Sequence, residues 1–485
     1  MQQRWLTALD HRFDAAFGAP ANPLKQLGAL GFLLLWLLAI SGIVLYVLLD
    51  TSAAGALRSI ERLQDAPWRS GDALRGLHRY GADAFVVVMF AHLLRELWLG
   101  RFRAWHRHAW WTGVVLVPLA LACAIGGFWL NWDRLGQYSA IATAEWLDAL
   151  LGTPVARNFL AGGVSDRLFS LFVFVHLGLP LLLVFGAWAH VQRLGHPAVF
   201  PRRVLALGTT LTLLALAFAW PVRSQGPADV GTVPQQLALD WLLLFLHPLA
   251  DRFSNEATWA VSALLLGGLL VLPLWPARAR PAAAQVHPRE CSGCGRCVGD
   301  CPYGAISLVP HPLRRTGVML PQVRAAQCAS CGLCVASCPS STPFRKTAQL
   351  ATGIDLPQFP LAQLREQLRR GLAAGKRRVV FGCERGARIA QLQDPQVLAL
   401  TLPCAGMLPP SFVDYALREG ARTVLVAGCR EGGCDFRLGP RWTAERLVGE
   451  REPHLRTLPA ESWQWIEADA GEEPRLNAAL QENPP

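Results

Sequence analysis

Six stretches of the chain are apolar enough and long enough to form membrane-spanning helices. They lie at about residues 27–49, 77–99, 110–130, 168–192, 204–222 and 257–276. A helix rises 1.5 Å per residue, so about 20 apolar residues cross the hydrocarbon core of a bilayer. The second stretch is the least hydrophobic, because it carries two histidines and several arginines. We predict an all-α bundle of six transmembrane helices over residues 1–277, preceded by an amphipathic surface helix.

Two of the predicted helices carry matching pairs of histidines. His78 and His92 are 14 residues apart, and so are His176 and His190. Fourteen residues make about 3.9 helical turns, so each pair lies on one side of its helix, about 21 Å apart along the axis. A single histidine in a membrane helix is as often a cavity-lining residue as a ligand. Equal spacings on two helices instead favour two bis-histidine haems stacked across the membrane.

Glycines repeat the same interval on two other helices. Gly28 and Gly42 are 14 residues apart in the first predicted span, and Gly113 and Gly127 in the third. A porphyrin face needs a neighbouring helix without a side chain at its level, and glycine provides one. Ordinary small-residue packing would explain each glycine alone, whereas the shared interval favours the haem interpretation.

These histidines and glycines resemble the pattern of cytochrome b in the respiratory and photosynthetic quinol:cytochrome c complexes. The resemblance covers about residues 20–277. It implies two haems b, with His78 and His176 holding the haem nearer the outer face. His92 and His190 would hold the haem nearer the cytoplasm. A homodimer through this domain is one assembly that the resemblance suggests.

Two arginines and one outer stretch belong to the same resemblance. Arg75 lies three residues before the first histidine and Arg95 three after the second; in the family, such arginines lie near haem propionates. The family's quinol-oxidising site carries Pro-Glu-Trp-Tyr, where this chain has Ala238-Leu239-Asp240-Trp241. The acid and the tryptophan remain, but the flanking proline and tyrosine do not. Asp240 is therefore a candidate proton acceptor for quinol, with a solvated loop acid as the alternative.

Two cysteine runs follow a Pro/Ala-rich linker at about residues 278–288. Each run has the spacing C-x2-C-x2-C-x3-C-P, which is typical of two-cluster ferredoxins, where the fourth cysteine of each run binds the other cluster. Zinc sites use two separated pairs and do not fit this spacing. We predict an α+β ferredoxin domain with two [4Fe–4S] clusters at 289–345. One cluster takes Cys291, Cys294, Cys297 and Cys338, and the other takes Cys301, Cys328, Cys331 and Cys334.

The C-terminal part alternates short apolar runs with helical stretches, after a charged segment at 346–377 that we predict to be a helical linker. This alternation predicts a small α/β domain with a parallel sheet at 378–485. The carboxyl ends of parallel strands share one edge of the sheet, which brings strand-end residues together. Three predicted strands end in a cysteine and a fourth cysteine follows: Cys383, Cys404, Cys429 and Cys434. Four converging thiols suit a [2Fe–2S] cluster, with a structural zinc ion or unligated core cysteines as alternatives.

Residues 378–447 resemble the delta iron–sulfur subunit of methyl-viologen-reducing hydrogenases. The resemblance rests on Gly382-Cys383, Pro403-Cys404, Gly428-Cys429, Cys434 and Arg446. That family carries a [2Fe–2S] centre and exchanges electrons with the flavin subunit of heterodisulfide reductase. The resemblance thus implies a soluble flavoprotein of that type, or another dehydrogenase, as partner. Glu384-Arg385-Gly386 stands where the family usually has a second nearby cysteine.

Charge and cysteine use restrict the location and the partners. The net charge of +11 is spread over loops, with no basic helix or aromatic-basic interleaving, so we expect no nucleic-acid partner. The positive charge suits membrane lipid, haem propionates and acidic partners. Cluster-forming thiolates need a reducing compartment. We therefore expect a multi-pass protein of the cytoplasmic membrane, with the iron–sulfur domains and both termini in the cytoplasm.

The order of these parts predicts a membrane electron-transfer protein, a subunit of a quinone oxidoreductase complex. It would link a cytoplasmic flavin or iron–sulfur oxidoreductase to quinone, its expected substrate, through the clusters and two haems b. Two alternatives stay open. One is a membrane anchor and relay without its own quinone site. The other is a quinol-oxidising subunit that feeds a bifurcating flavoprotein of heterodisulfide-reductase type.

Overall fold

The computed structural model describes residues 4–160, 164–232, 234, 236–275, 281–345, 350–392, 394–430 and 432–482. The chain divides into two compact units. The first comprises Met1–Gln192 and Ala198–Trp275, and the second Arg193–Pro197 and Pro276–Pro485. Residues 278–280 of the predicted linker and 346–349 of the predicted helical segment lie outside the described residues.

The described part of the first unit is helical. Its helices are α1 (Arg4–Phe17), α2 (Leu27–Leu48), α3 (Ala56–Glu61), α4 (Ser70–Trp98), α5 (Arg107–Asn131), α6 (Arg134–Leu151), α7 (Arg157–Leu160), α8 (Asp166–Val191), α9 (Arg203–Ala219), α10 (Leu246–Phe253) and α11 (Asn255–Val271). Short 3₁₀ turns join several of them. The predicted surface helix before the first span corresponds to α1.

All six predicted spans are helical, as α2, α4, α5, α8, α9 and α11. Among the described residues, four helical segments are long and apolar enough to cross a membrane: Pro23–Leu48, Ala104–Asn131, Asp166–Val191 and Asn255–Leu274. Helix α9 is apolar but shorter, and α4 carries charged side chains along its length. The predicted helix bundle is confirmed, while the membrane crossing of α4 and α9 stays a prediction.

Two helix pairs make the closest packing in this unit, α2 against α4 and α5 against α8. Each pair joins a helix with two of the predicted ligand histidines to a helix with two of the predicted glycines. The sequence between α5 and α8 contains α6 and α7. Asp133 caps α6, because its carboxylate accepts the backbone N–H of Gly136 at 2.9 Å.

The second unit contains three small sheets. Strands β1 (Gln285–Val286) and β4 (Ile354–Asp355) pair antiparallel, and so do β2 (Ile306–Pro310) and β3 (Met319–Val323). Strands β5 (Arg378–Cys383), β6 (Val397–Leu402), β7 (Thr423–Gly428) and β8 (Trp463–Glu467) form a parallel sheet in the order β6-β5-β7-β8. The helices are α12 (Arg296–Gly299), α13 (Leu333–Ala336), α14 (Leu361–Ala373), α15 (Ser411–Arg418), α16 (Gly439–Leu447) and α17 (Glu473–Glu482). The predicted α+β and parallel α/β classes are confirmed.

One hydrophobic core runs through the ferredoxin part and the parallel sheet. In the described part of the predicted helical linker, residues 350–377, the helix is α14, and its apolar positions recur at the helical period. These are Leu361, Leu364, Leu368 and Leu372, all buried. Because this face packs into the shared core, α14 is an integral part of the unit and does not serve as a free spacer.

Candidate haem and iron–sulfur sites

Helices α4 and α8 bring the four histidines together in two facing pairs. The ring centroids of His78 and His176 are 6.4 Å apart, and those of His92 and His190 are also 6.4 Å apart. Two imidazoles bound to opposite sides of one metal ion, each at about 2 Å through a ring nitrogen, have centres about 6.3 Å apart. Both pairs therefore have the spacing that a bis-histidine haem site requires.

Each of the four glycines faces one of these histidines. A Cβ added at Gly42, Gly113 or Gly127 would lie 3.0–3.1 Å from the Cε1 atom of the facing imidazole, and one added at Gly28 would lie 3.6 Å away. The facing pairs are Gly42 with His78, Gly127 with His176, Gly113 with His190 and Gly28 with His92. Glycine thus leaves space beside the ligand rings, as its use near a porphyrin requires.

Hydrogen bonds hold three of the imidazoles by their Nδ1 atoms. A metal-binding histidine commonly donates its other N–H to a neighbouring oxygen, which fixes the ring and leaves Nε2 for the metal. Ser41 and Thr112 each donate their hydroxyl proton to a backbone carbonyl of their own helix, so each hydroxyl oxygen accepts from the histidine. The bonds join Ser41 Oγ to His78 (3.0 Å), Thr112 Oγ1 to His190 (3.1 Å) and the Cys123 carbonyl to His176 (3.0 Å). Sequence reasoning did not find these partners.

The two predicted propionate arginines have different surroundings. Arg75 is buried, and its Nη2 donates to Ser224 Oγ at 3.1 Å, while its Nη1 has no hydrogen-bond partner among the described residues. A buried, unsatisfied guanidinium fits an anionic group such as a propionate. Arg95 instead donates from both Nη atoms to the carboxylate of Asp10 in α1, each at 2.9 Å. Its charge is therefore already paired within the protein.

Asp240 has a structural role in the outer stretch. Its carboxylate accepts the backbone N–H groups of Leu242 and Leu243, at 3.0 and 2.7 Å, and forms an ion pair with Arg79. These contacts fix the position of the Asp240 carboxylate. Its role as a proton acceptor stays a prediction.

A second group of titratable side chains lies between α6 and α10. The Tyr138 hydroxyl donates to the Asp251 carboxylate at 2.7 Å. Burial is the main cause that raises the pKa of Tyr138, and the hydrogen bond to Asp251 raises it further. Burial, followed by the charges of Asp251 and Asp148, raises the pKa of Glu145. His247 is buried and donates from Nε2 to the Ser139 carbonyl at 3.2 Å. Sequence reasoning missed this group, because its members come from two distant segments.

The second ferredoxin site is formed by Cys301, Cys328, Cys331 and Cys334, which line one cavity. Backbone N–H groups point at two of its sulfurs, from Ala305 to Cys301 at 3.2 Å and from Ser330 to Cys328 at 3.4 Å. Such N–H donors to sulfur are among the groups that set cluster potentials. The residues present therefore fit a [4Fe–4S] cluster.

The first ferredoxin site brings together Cys291, Cys294, Cys297 and Cys338. Burial raises the pKa of Cys297 to about 12, and the charges of the neighbouring thiols, that of Cys338 above all, add to the effect. Gly293 donates its N–H to Cys291 Sγ at 3.4 Å, and Ser340 Oγ lies 3.1 Å from Cys338 Sγ. Cys338, the fourth cysteine of the second run, thus lies near the cysteines of the first run, and the binding of one cluster by these four residues stays a prediction.

The C-terminal site lies at the carboxyl edge of the parallel sheet, and its four thiols are at most 3% exposed. They are Cys383, Cys404, Cys429 and Cys434. Cys383 Sγ lies 3.7 Å from Cys429 Sγ. Hydrogen bonds from the thiols of Cys404 and Cys429 lower the pKa of Cys383. These described cysteines contain no three sulfurs that all lie within 4.8 Å of one another.

Comparison with known proteins gives three family-model matches in the predicted order. Residues 19–196 match cytochrome b/b6/petB, residues 290–342 the 4Fe-4S dicluster domain, and residues 382–481 the delta subunit of methyl-viologen-reducing hydrogenase. The resemblances are thereby confirmed: the chain joins these three domain types. Cytochrome b implies haem b, and the dicluster domain implies [4Fe–4S] clusters.

The relatives found are cytochromes b. That of Rhodospirillum rubrum is 26% identical over 199 residues, covering 39% of this chain and 48% of the relative. That of Micropechis ikaheca is 23% identical over 240 residues, covering 44% of this chain and 64% of the relative. The chain thus spans about half to two thirds of these relatives. Among solved structures, a hyperthermophilic respiratory Complex III chain aligns with a TM-score of 0.44 and 18% identity, over 56% of this chain and 82% of that chain. The domain matches support a membrane electron-transfer role.

Proposed function

We propose that this chain conducts electrons between a soluble cytoplasmic oxidoreductase and membrane quinone. The observation that carries the proposal is the presence, in one polypeptide, of two facing histidine pairs and three groups of four cysteines. Iron in haems and in iron–sulfur clusters changes its charge by one electron at a time. A series of such sites suits transfer of electrons more than catalysis on a bound substrate.

Two haems b are proposed, one for each histidine pair. The support is the 6.4 Å ring spacing in both pairs, the four glycines that face the rings, and the Nδ1 hydrogen bonds. The buried and unsatisfied Arg75 suits a propionate of the haem held by His78 and His176. Arg95, paired with Asp10, suits that role less well.

A [2Fe–2S] cluster is proposed for the C-terminal site. Four sulfurs around one tetrahedral zinc ion would lie about 3.8 Å from one another, because the Zn–S distance is about 2.3 Å. Each of the four thiols has two others of the group as hydrogen-bonding neighbours, and Cys383 Sγ lies 3.7 Å from Cys429 Sγ. The proposal of a cluster is supported by the delta-subunit match at 382–481.

Quinone is the proposed membrane substrate. Oxidation of a quinol releases protons, so its site needs titratable groups outside the hydrocarbon core. The stretch around Asp240 and the group formed by Tyr138, Glu145, His247 and Asp251 provide them. Because burial and neighbouring charges raise the pKa of Glu145, this acid is better suited than Asp240 to accept a proton.

The soluble partner is proposed to be a flavoprotein of heterodisulfide-reductase type or another dehydrogenase, bound on the cytoplasmic side. The delta-subunit match at 382–481 supports this class of partner. The twelve cysteines in the second unit support a reducing compartment for that unit.

The test is rapid-mixing spectroscopy of the haem band with each electron donor in turn. A Cys331→Ser variant, which removes a ligand of the second ferredoxin site, should keep haem reduction by a quinol analogue and lose reduction from the soluble side. The matched control is Val448→Ser, an exposed position of the same unit, which should keep both. Unchanged reduction from the soluble side in Cys331→Ser would refute the conduit. Failure of quinol to reduce the haems of the unmodified protein would favour the anchor and relay alternative.

A further inference from the structure

The three cysteine sites of the second unit form a row, with the second ferredoxin site between the first ferredoxin site and the C-terminal site. Two contacts join the second ferredoxin site to the C-terminal site. A Cβ at Gly332, next to Cys331, would lie 2.5 Å from Met407 Cγ, three residues after Cys404. The Tyr303 hydroxyl donates to the carbonyl of Asp435, directly after Cys434, at 3.0 Å. The second ferredoxin site therefore adjoins the C-terminal site.

The first ferredoxin site adjoins the second one on another side. Cys297 of the first site is close enough to Cys334 of the second site for the charges of the two thiols to interact. The first site is bordered by Gly353, where a Cβ would lie 3.1 Å from Cys338 Sγ. Its Cys294 is exposed, whereas the other twelve cysteines, all described, are buried or half-buried. The first site is thus the part of the row that opens to solvent.

Several exposed arginines lie on the hairpin beside this opening or next to the ligand cysteines in the sequence. Gly293 packs against the hairpin formed by β2 and β3, because a Cβ there would lie 2.7 Å from Val318 Cγ1. The turn of that hairpin carries exposed Arg314 and Arg315, next to Leu313, which is 62% exposed. Two further exposed arginines flank the ligand cysteines in sequence, Arg289 and Arg296. We call Arg289, Arg296, Leu313, Arg314 and Arg315 the arginine face.

Acidic side chains neutralise only part of this charge. Arg296 forms an ion pair with Glu452 at 3.4 Å, and both side chains are exposed. Glu290 is paired with Arg345 at 2.7 Å. Exposed pairs of this kind are weak and screened by salt, so they compete poorly with an approaching anionic surface. The arginine face thus presents exposed positive charge together with one exposed leucine.

We propose that the arginine face docks an acidic one-electron carrier protein beside Cys294, as an electron port separate from the C-terminal site. The proposal rests on the proposed function in one respect only, the assignment of a cluster to the exposed cysteine. One electron would pass between the carrier and that cluster, so that one is oxidised as the other is reduced and no bond is made. Charge complementarity speeds such encounters and makes them sensitive to salt.

The experiment measures binding of flavodoxin, an acidic one-electron carrier, to the full chain in nanodiscs by surface plasmon resonance. The test variant is R314E/R315E and the control is R369E/R370E, which makes the same change in net charge at exposed positions of α14. We expect R314E/R315E to weaken binding about tenfold or more at 50 mM salt, the control less than about twofold, and 300 mM salt to weaken the unmodified chain strongly.

Equal weakening by both variants, or no binding at low salt, would overturn the proposal. It would also be overturned if binding vanished when anionic lipid was added to the nanodiscs, since the arginine face would then be a lipid contact. Haem reduction by quinol, measured on the same preparation, separates the two proposals. If that reduction fails while salt-sensitive flavodoxin binding persists, the proposed quinone function is refuted and the docking face stands.

Discussion

Replacing Gly113 by alanine tests directly how the inner histidine pair is built. The added Cβ would lie 3.0 Å from Cε1 and 3.3 Å from Nδ1 of His190. The ring is not free to move away, because its Nδ1 is bonded to Thr112 Oγ1 at 3.1 Å. Gly28 provides a matched control at the same site, since a Cβ there would lie 3.6 Å from Cε1 of His92, an ordinary contact.

The expected magnitude follows from overpacking. Forcing an extra methyl group into a packed site costs about 1–3 kcal/mol. Each 1.4 kcal/mol is about a factor of ten in affinity, so Gly113→Ala should weaken retention of the inner haem by about 5- to 150-fold. Gly28→Ala should change it by no more than about twofold, as expected for a change that meets no short contact.

The assay is the rate of haem transfer from each variant to an excess of apomyoglobin, followed by absorbance. Electron paramagnetic resonance of the oxidised protein adds a second readout, because the low-spin signal responds to the relative orientation of the two imidazole planes. Only Gly113→Ala should change both the rate of haem transfer and the low-spin resonance signal. Equal losses in the two variants would mean that these glycines make room for the porphyrin and not for the imidazole, and the argument from ring contacts would fail.

Three further predictions use the same sites. Thr112→Val removes the acceptor of the His190 Nδ1–H and should raise the midpoint potential of the inner haem alone. Ser41→Ala should likewise raise the midpoint potential of the outer haem alone, and a potentiometric titration of the haem bands measures both. Unshifted potentials would show that these hydrogen bonds do not tune the haems. His92→Ala should abolish the absorbance of the inner haem and keep that of the outer one, and retention of both signals would show that the pairing is wrong. Chemical analysis should find about twelve irons per chain, whereas stoichiometric zinc would assign the C-terminal thiols a structural role.

Local sequence spacing was sufficient to predict the fold classes and to choose the candidate ligands. The 14-residue interval places histidines on one helix face regardless of what surrounds the helix. The two cysteine runs work in the same way, since their spacing reflects the shape of a cluster. Cys383, Cys404 and Cys429 were found because parallel strands must end at a common edge.

The features that sequence reasoning missed depend on contacts between distant segments. Asp10 meets Arg95 across 85 positions, and neither residue carries a local signal of the other. Ser41 and Thr112 are ordinary small polar residues of membrane helices, which usually bond their own backbone. Strand β8 was missed because Trp463–Glu467 is short and half polar, so that its pairing with β7 decides its conformation.

The exchange of the fourth cysteine between the two runs affects how the domains joined in this chain are connected. The first run is nearer the membrane helices in sequence, yet it donates Cys301 to the site that adjoins the C-terminal domain, and its remaining cysteines form the site with the exposed Cys294. The sites adjoin one another in the order of the runs along the chain, although each ferredoxin site draws cysteines from both runs. What the fusion does ensure is one copy of each site per chain, held at a high effective concentration without a separate binding step. The path between the sites is set by packing, such as that of Gly332 against Met407.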